Sequence, residues 1–359
     1  MTQFKGNSES NTVSARGSVT AENFETAAAA NAMASPAAPV IPEALPEVAE
    51  KSNSHRMLGG PLAAVVTHYN RDLSLDLGAL KENLRYLVDN GIRTGNGSIL
   101  VGGAAGDFDS LSVQERRTLV ETAAAVLSGK VPLIVGAQST DLRVVIQMAE
   151  IADEVGAYAI QVSPPYYHEH SDEDVLRWYR SVADSLRKSG IMVYNTYWHG
   201  YNFPLDVLDQ VVELERVVSL KWATPSGGFD FENGITRYAK RIALVDNNLT
   251  WPLTFLFGGT TFVTLLGTVW PQFATQLYGL FKAGKYRAAA ESMEITKFPW
   301  MRFKRKVGAR TGGESPAVRA ALEICGRPGG PSRPPSRDLN QEERSELRDI
   351  LQRIGAPIA

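Results

Sequence analysis

Eight short apolar runs, most of them separated by amphipathic helical segments, predict an α/β protein folded as a closed (β/α)8 TIM barrel. The runs are continuous in apolar character, as strands buried on both faces of a parallel sheet must be. The intervals repeat apolar residues at helical spacing, and a helix is the usual crossover between parallel strands. Eight such units fill about 210 residues, close to the span of one barrel. An open doubly wound sheet is the alternative, but neither a G-x-G-x-x-G nor a Walker loop follows the first run, so nucleotide binding of that kind is unsupported.

Residues 1–57 are rich in Ala, Pro, Ser and Glu, have few large apolar side chains, and read as a flexible, disordered tail. No apolar stretch follows the basic start, and the Glu content is unlike an Arg-rich transit peptide, so a targeting leader is not expected. Met57 stands as an alternative start. The barrel is expected over 58–270, with strands at 62–69 (LAAVVTHY), 97–103 (GSILVGG), 131–138 (VPLIVGAQ), 157–165 (AYAIQVSPP), 191–196 (IMVYNT), 217–223 (VVSLKWA), 242–248 (IALVDNN) and 260–267 (TTFVTLLG). Helical patterns occupy 76–90, 112–129, 141–156 and 172–190, and Ser112, Asp141 and Ser171 stand where N-caps belong. Residues 271–359 read as a C-terminal helical extension, packed outside the barrel or between subunits.

Composition narrows the function. The chain has 359 residues, a net charge of -2, 44% hydrophobic and 21% charged residues, which fits a soluble enzyme and gives no basic excess for nucleic acid or anionic lipid. No run approaches the roughly 20 apolar residues of a membrane span. A single cysteine, Cys325, excludes an intrachain disulfide and a multi-cysteine metal site, and points to a reducing, cytoplasmic setting. No cofactor is expected. Among the five histidines, the His168-Glu169-His170 triplet has chelating spacing but no evident third ligand, so no metal is expected.

In such a barrel the chemistry lies where strands end, at the C-terminal face. Lys221 closes the sixth run. Two readings are open for it: a structural lysine paired with a neighbouring strand's carboxylate, or an amine that desolvation keeps neutral and therefore nucleophilic towards a ketone.

The surrounding segments resemble the dihydrodipicolinate synthase/N-acetylneuraminate lyase family of class I aldolases and dehydratases from about Leu58 to the C-terminus. SLKWAT is similar to the family's Schiff-base lysine segment, VSPPYYHEHSDEDVLRWY to its Pro-Tyr-Tyr segment, and MVYNT to its Tyr-Asn. GGAAGDFDSLSVQER resembles the glycine-rich loop after strand two, and CGRPGGPSRPPSRDLNQEE the Gly-Pro-x-Arg-Pro-Pro tail. The resemblance implies a lyase in which Lys221 forms the imine, Tyr194 moves protons, and Tyr167 reaches a neighbouring subunit's site. It also implies a homo-oligomer, a dimer or tetramer, acting on a small 2-oxo acid such as pyruvate and an aldehyde.

Two departures stand out. Ala104 and Ala105 occupy the place of a hydroxyl pair, leaving the amides of Gly103, Ala104, Ala105 and Gly106 to receive a carboxylate. After Tyr194-Asn195, Trp198 and His199 stand where the synthase branch carries a carboxylate-clamping arginine, and Asn247 replaces an expected glycine, which speaks against dihydrodipicolinate synthesis. Tyr197, Trp198, Tyr201, Trp222 and Trp251 are expected around the mouth, suiting a bulky or aromatic aldehyde. Asp107 reads as a loop or helix cap, and WMRFKRKVGAR (300–310) as a solvated helix face or subunit contact. The leading expectation is thus an aldolase-type Schiff-base lyase; a dehydratase or deaminase using the same imine, and a catalytically silent barrel, are the alternatives.

Overall fold

The structure is a computed structural model that describes residues 49–225 and 228–359. Eight parallel strands close into a barrel in sequence order, the eighth pairing with the first. They are β1 Gly60–Ala64, β2 Ser98–Val101, β3 Leu133–Gly136, β4 Ala159–Val162, β5 Gly190–Tyr194, β6 Val217–Trp222, β7 Ala243–Asp246 and β8 Thr261–Thr264. All eight overlap the expected runs. The strands are shorter than those runs because the residues past each strand's end turn into the loops that build the mouth.

Side chains alternate across the wall, as a pleated strand requires. Leu62, Ile134, Ala159, Met192 and Phe262 fill the lumen, while Ala63, Ile99, Val135, Ile160, Val193 and Leu244 pack outward on the helices. The barrel is therefore a packed core below and a cavity above.

The outer layer comprises α2 Leu77–Asp89, α3 Val113–Leu127, α4 Leu142–Val155, α5 Asp172–Ser185, α6 Leu205–Glu213, α7 Phe229–Tyr238 and α8 Trp251–Leu256. Ser112 and Ser171 each close a capping box and Asp141 caps α4 through the amide of Arg143, so these helices start where the sequence placed them.

Two boundaries move. Of the expected tail, residues 1–48 lie outside the described residues, but Ala49–Leu58 is a helix, α1. Ser54 on it is fully buried and its hydroxyl accepts the Ala243 amide, while the Leu58 carbonyl accepts the Thr261 hydroxyl. The segment is thus docked beneath the barrel rather than a tail, held by polar contacts that its low apolar content does not advertise. At the other boundary, after the short α9 (Leu266–Val269), α10 (Pro271–Lys282) packs on β1 and completes the outer layer, so the barrel extends past residue 270.

Beyond it, α11 (Tyr286–Ile295), α12 (Lys297–Thr311), α13 (Ser315–Ile324) and α14 (Gln341–Arg353) form the C-terminal extension. Trp300, Phe303 and Val307 on α12 and most of α13 are buried. The basic stretch 300–310 is accordingly a core-facing amphipathic helix, not merely a solvated face: its apolar residues recur at helical spacing beneath the charges. Among the described residues no helix is long and apolar enough to cross a membrane.

Candidate active site

A cavity of about 720 Å³ opens at the C-terminal face, lined by Lys221, Tyr194, Ala104, Ala105, Asn247, Trp198 and His199 among others. Lys221 and Tyr194 stand level with one another in the pairing of β5 with β6, and alternation turns both inward. The ammonium position of Lys221 lies 4.0 Å from the centre of the Tyr194 ring, and Nζ donates to Gln161 Oε1 at 3.2 Å. No carboxylate comes within salt-bridge distance of it among the described residues, so the structural alternative of a strand-to-strand ion pair is not realised. Burial pulls the Lys221 amine down to about 8, with Glu314 opposing and Lys304 reinforcing that change.

Burial pushes the Tyr194 phenol above its ordinary range, and Glu314 adds to this, while the Asn247 amide donates to its hydroxyl at 3.5 Å. Tyr194 is a phenol at neutral pH and holds its proton beside the amine. Trp198 meets the Tyr194 ring edge-on at a centroid distance of 5.8 Å and is 45% exposed, forming the outer wall of the mouth. His199 lies against Trp198 and Tyr166, and partial burial lowers its pKa.

The glycine-rich loop makes a short 3-10 turn over Ala104–Gly106. The Gly106 and Phe108 amides bond the Gly103 carbonyl, so Gly103 and Gly106 shape the turn, while Ala104 and Ala105 line the cavity together with the following Asp107–Ser110. Asp107 stands at the N-cap of the 3-10 turn Phe108–Ser110, as expected of a loop cap, but its side chain makes no capping hydrogen bond. It holds a left-handed backbone conformation, and its carboxylate is taken by the Ser315 hydroxyl and the buried Arg319 guanidinium.

Two aromatic expectations are overturned. Trp222 follows Lys221 directly, so alternation sends it out of the barrel; its indole nitrogen donates to the Phe231 carbonyl and its ring packs on Gly234 of α7. Tyr201 is buried beneath Phe203 with its hydroxyl on Asp172. Tyr197 and Trp251 do line the cavity. Of the tyrosine pair, Tyr166 lines it and Tyr167 does not: Tyr167 is 86% exposed, with φ 85, and stacks edge-on against His168.

The far wall comes from the extension. Lys297, Trp300, Met301 and Lys304, at spacing that gives one helical face, turn α12 towards the cavity, and Glu314 pairs with Lys304. Lys297 is 2% exposed, donates to the Leu249 carbonyl and lies 3.8 Å over the Trp251 ring. None of these residues was singled out as a site residue from the sequence; the one available signal was a lysine pair, seven apart, on a helix that also carries core aromatics.

A desolvated amine set against a phenol at the mouth of a (β/α)8 barrel defines the class of lyases that work through a Schiff base. The chain belongs to the Dihydrodipicolinate synthetase family, whose profile matches residues 57–354 and whose members are lyases of this chemistry. It is 29% identical to 4-hydroxy-tetrahydrodipicolinate synthase 1 of Halalkalibacterium halodurans, over 81% of this chain and 95% of that one. It is 26% identical to a probable 5-dehydro-4-deoxyglucarate dehydratase of Rhodococcus opacus, over 84% and 97%. Among solved structures, dihydrodipicolinate synthase DapA-2 of Bacillus anthracis superposes with a TM-score of 0.71 at 25% identity, covering 82% of this chain and 98% of that one. A catalytic-lysine mutant of Ruminococcus gnavus sialic acid aldolase shares the fold with a TM-score of 0.73 at 16% identity, covering 85% and 96%.

Proposed function

We propose that Lys221 forms an imine with pyruvate or a related 2-oxo acid and that the enzyme makes or cleaves an aldol bond to a bulky, apolar aldehyde. The observation that carries this is the Lys221 amine: buried, without a carboxylate partner among the described residues, and open to a cavity much larger than a three-carbon acid. The lone pair attacks the ketone carbon, the carbonyl oxygen takes a proton, and loss of that hydroxyl as water leaves the protonated imine. A C3 proton then departs to give an enamine, which attacks the aldehyde carbon while the aldehyde oxygen takes a proton; water finally releases the product from the lysine. Tyr194, protonated and adjacent, is the donor and acceptor for these transfers. The amides of Ala104 and Ala105 receive the 2-oxo acid's carboxylate, and Tyr197, Trp198, Trp251 and Trp300 face the aldehyde's apolar body.

Dehydration or deamination through the same imine is the second reading, favoured by the similarity to the Rhodococcus opacus dehydratase. We further place the enzyme in the cytoplasm as a homo-oligomer, with the exposed Tyr167 at the contact between copies, where a bulky side chain held at positive φ finds a partner surface.

Intact mass after incubation with pyruvate and borohydride tests the reading. A reduced pyruvate adduct on the wild type and none on Lys221→Ala is the expected result. No adduct with pyruvate or any of a panel of 2-oxo acids would make the chain a silent barrel.

A further inference from the structure

Gln161 sits on β4 between Ile160 and Val162 with no exposed surface. In the pairing of β4 with β5 it stands level with Met192, two residues before the level of Tyr194 and Lys221, and unlike them it does not line the cavity. It therefore lies beneath the amine, on the floor side of the site. Its Oε1 accepts from Lys221 Nζ at 3.2 Å, and its Nε2 has no partner. An apolar side chain of similar size would fill the same space without leaving a buried donor unsatisfied, so packing does not account for a primary amide here.

Resting on the reading of Lys221 as the nucleophile, we infer that Gln161 is a positioning residue: by accepting one N–H from below it turns the lone pair of Lys221 up towards the carbonyl carbon arriving through the cavity, and it does so without adding a charge. A carboxylate in its place would hold the ammonium and withdraw the lone pair. An aliphatic group would leave the amine free to swing about its four-carbon stem. Gln161 gains and loses no proton during imine formation. The nitrogen pair becomes the C–N bond, the carbonyl pair moves to oxygen, and the oxygen leaves as water.

The test measures the rate of pyruvate-dependent reductive trapping with cyanoborohydride across pH for the wild type, Gln161→Glu and Gln161→Met, with melting temperatures recorded in parallel. Gln161→Glu is expected to move the midpoint of the trapping profile upward by about one to three pH units. Gln161→Met is expected to lower the limiting rate by about tenfold or more at a near-unchanged melting temperature. Profiles that superimpose on the wild type, or losses that only follow a fall in melting temperature, overturn the inference. If Gln161→Glu does not fold, the limiting rate of Gln161→Met decides. A wild type that traps no 2-oxo acid at any pH strikes instead at the reading of Lys221.

Discussion

Among the described residues, Lys221 and Lys297 are the lysines most fully removed from water, and they differ in what surrounds them. Lys221, in the barrel wall, touches a neutral amide and the face of a tyrosine and opens to the cavity. Lys297, at the start of α12, donates to a backbone carbonyl and lies flat over Trp251. Burial pulls both amines below their ordinary range, and the Asp246 carboxylate opposes that change at Lys297. Desolvation alone thus does not distinguish them. What separates the two is engagement: both reach the cavity, but Lys221 donates to a neutral side-chain amide, whereas Lys297 donates to the Leu249 backbone carbonyl and has the Asp246 carboxylate acting on it.

The sharpest break of that comparison is to exchange the two losses. Lys221→Met should abolish the trapped adduct and reduce turnover by about 10⁴-fold or more, whereas Lys297→Met should retain an adduct at wild-type stoichiometry, both read by mass after borohydride. An adduct that disappears with Lys297 instead would reverse the roles. Next in size, Tyr194→Phe should cost about 10² to 10⁴ in turnover while an adduct still accumulates, because the amine remains and the proton donor is gone; unchanged kcat would remove Tyr194 from the mechanism.

A smaller effect lies in stability. The Lys221 pKa falls from 10.5 to about 8 on folding, so between those values the unfolded chain binds more protons and folding becomes more favourable as pH rises. Urea unfolding at pH 7 and pH 10 should show the wild type gaining roughly 2 kcal/mol relative to Lys221→Met over that interval. Equal pH dependence in both proteins would mean that the amine is not depressed. The finest test concerns the wall: Glu314→Gln should lower the midpoint of the trapping profile and Lys304→Met should raise it, since each removes one of the two charges acting on Lys221. Profiles that move the other way would detach α12 and Glu314 from the amine.

The positions of the strands, the caps at Ser112, Asp141 and Ser171, and the inward lysine and tyrosine were all legible because each depends on local periodicity or on a short motif. The outward turn of Trp222 was legible too, since the alternation that sends Lys221 inward sends its neighbour away; clustering the aromatics by proximity in sequence ignored it. What sequence could not supply were meetings across long separations. Asp107 finds Arg319, and Lys221 shares its cavity with Lys304 and Glu314, only because the extension folds back over the mouth. The docking of α1 was hidden for a different reason: besides the buried Leu58 side chain its anchors are the Ser54 hydroxyl and the Leu58 carbonyl, polar contacts that no apolar pattern announces.

The docking of α1 on β7 and β8 also bears on which end of the barrel reactants meet. With the lumen filled by Leu62, Ile134, Met192 and Phe262, the cavity opens at the C-terminal face. Lys221 lies in that cavity and α12 lines its far wall. On the proposed reading, the 2-oxo acid joins Lys221 first and the aldehyde follows into the space between it and α12.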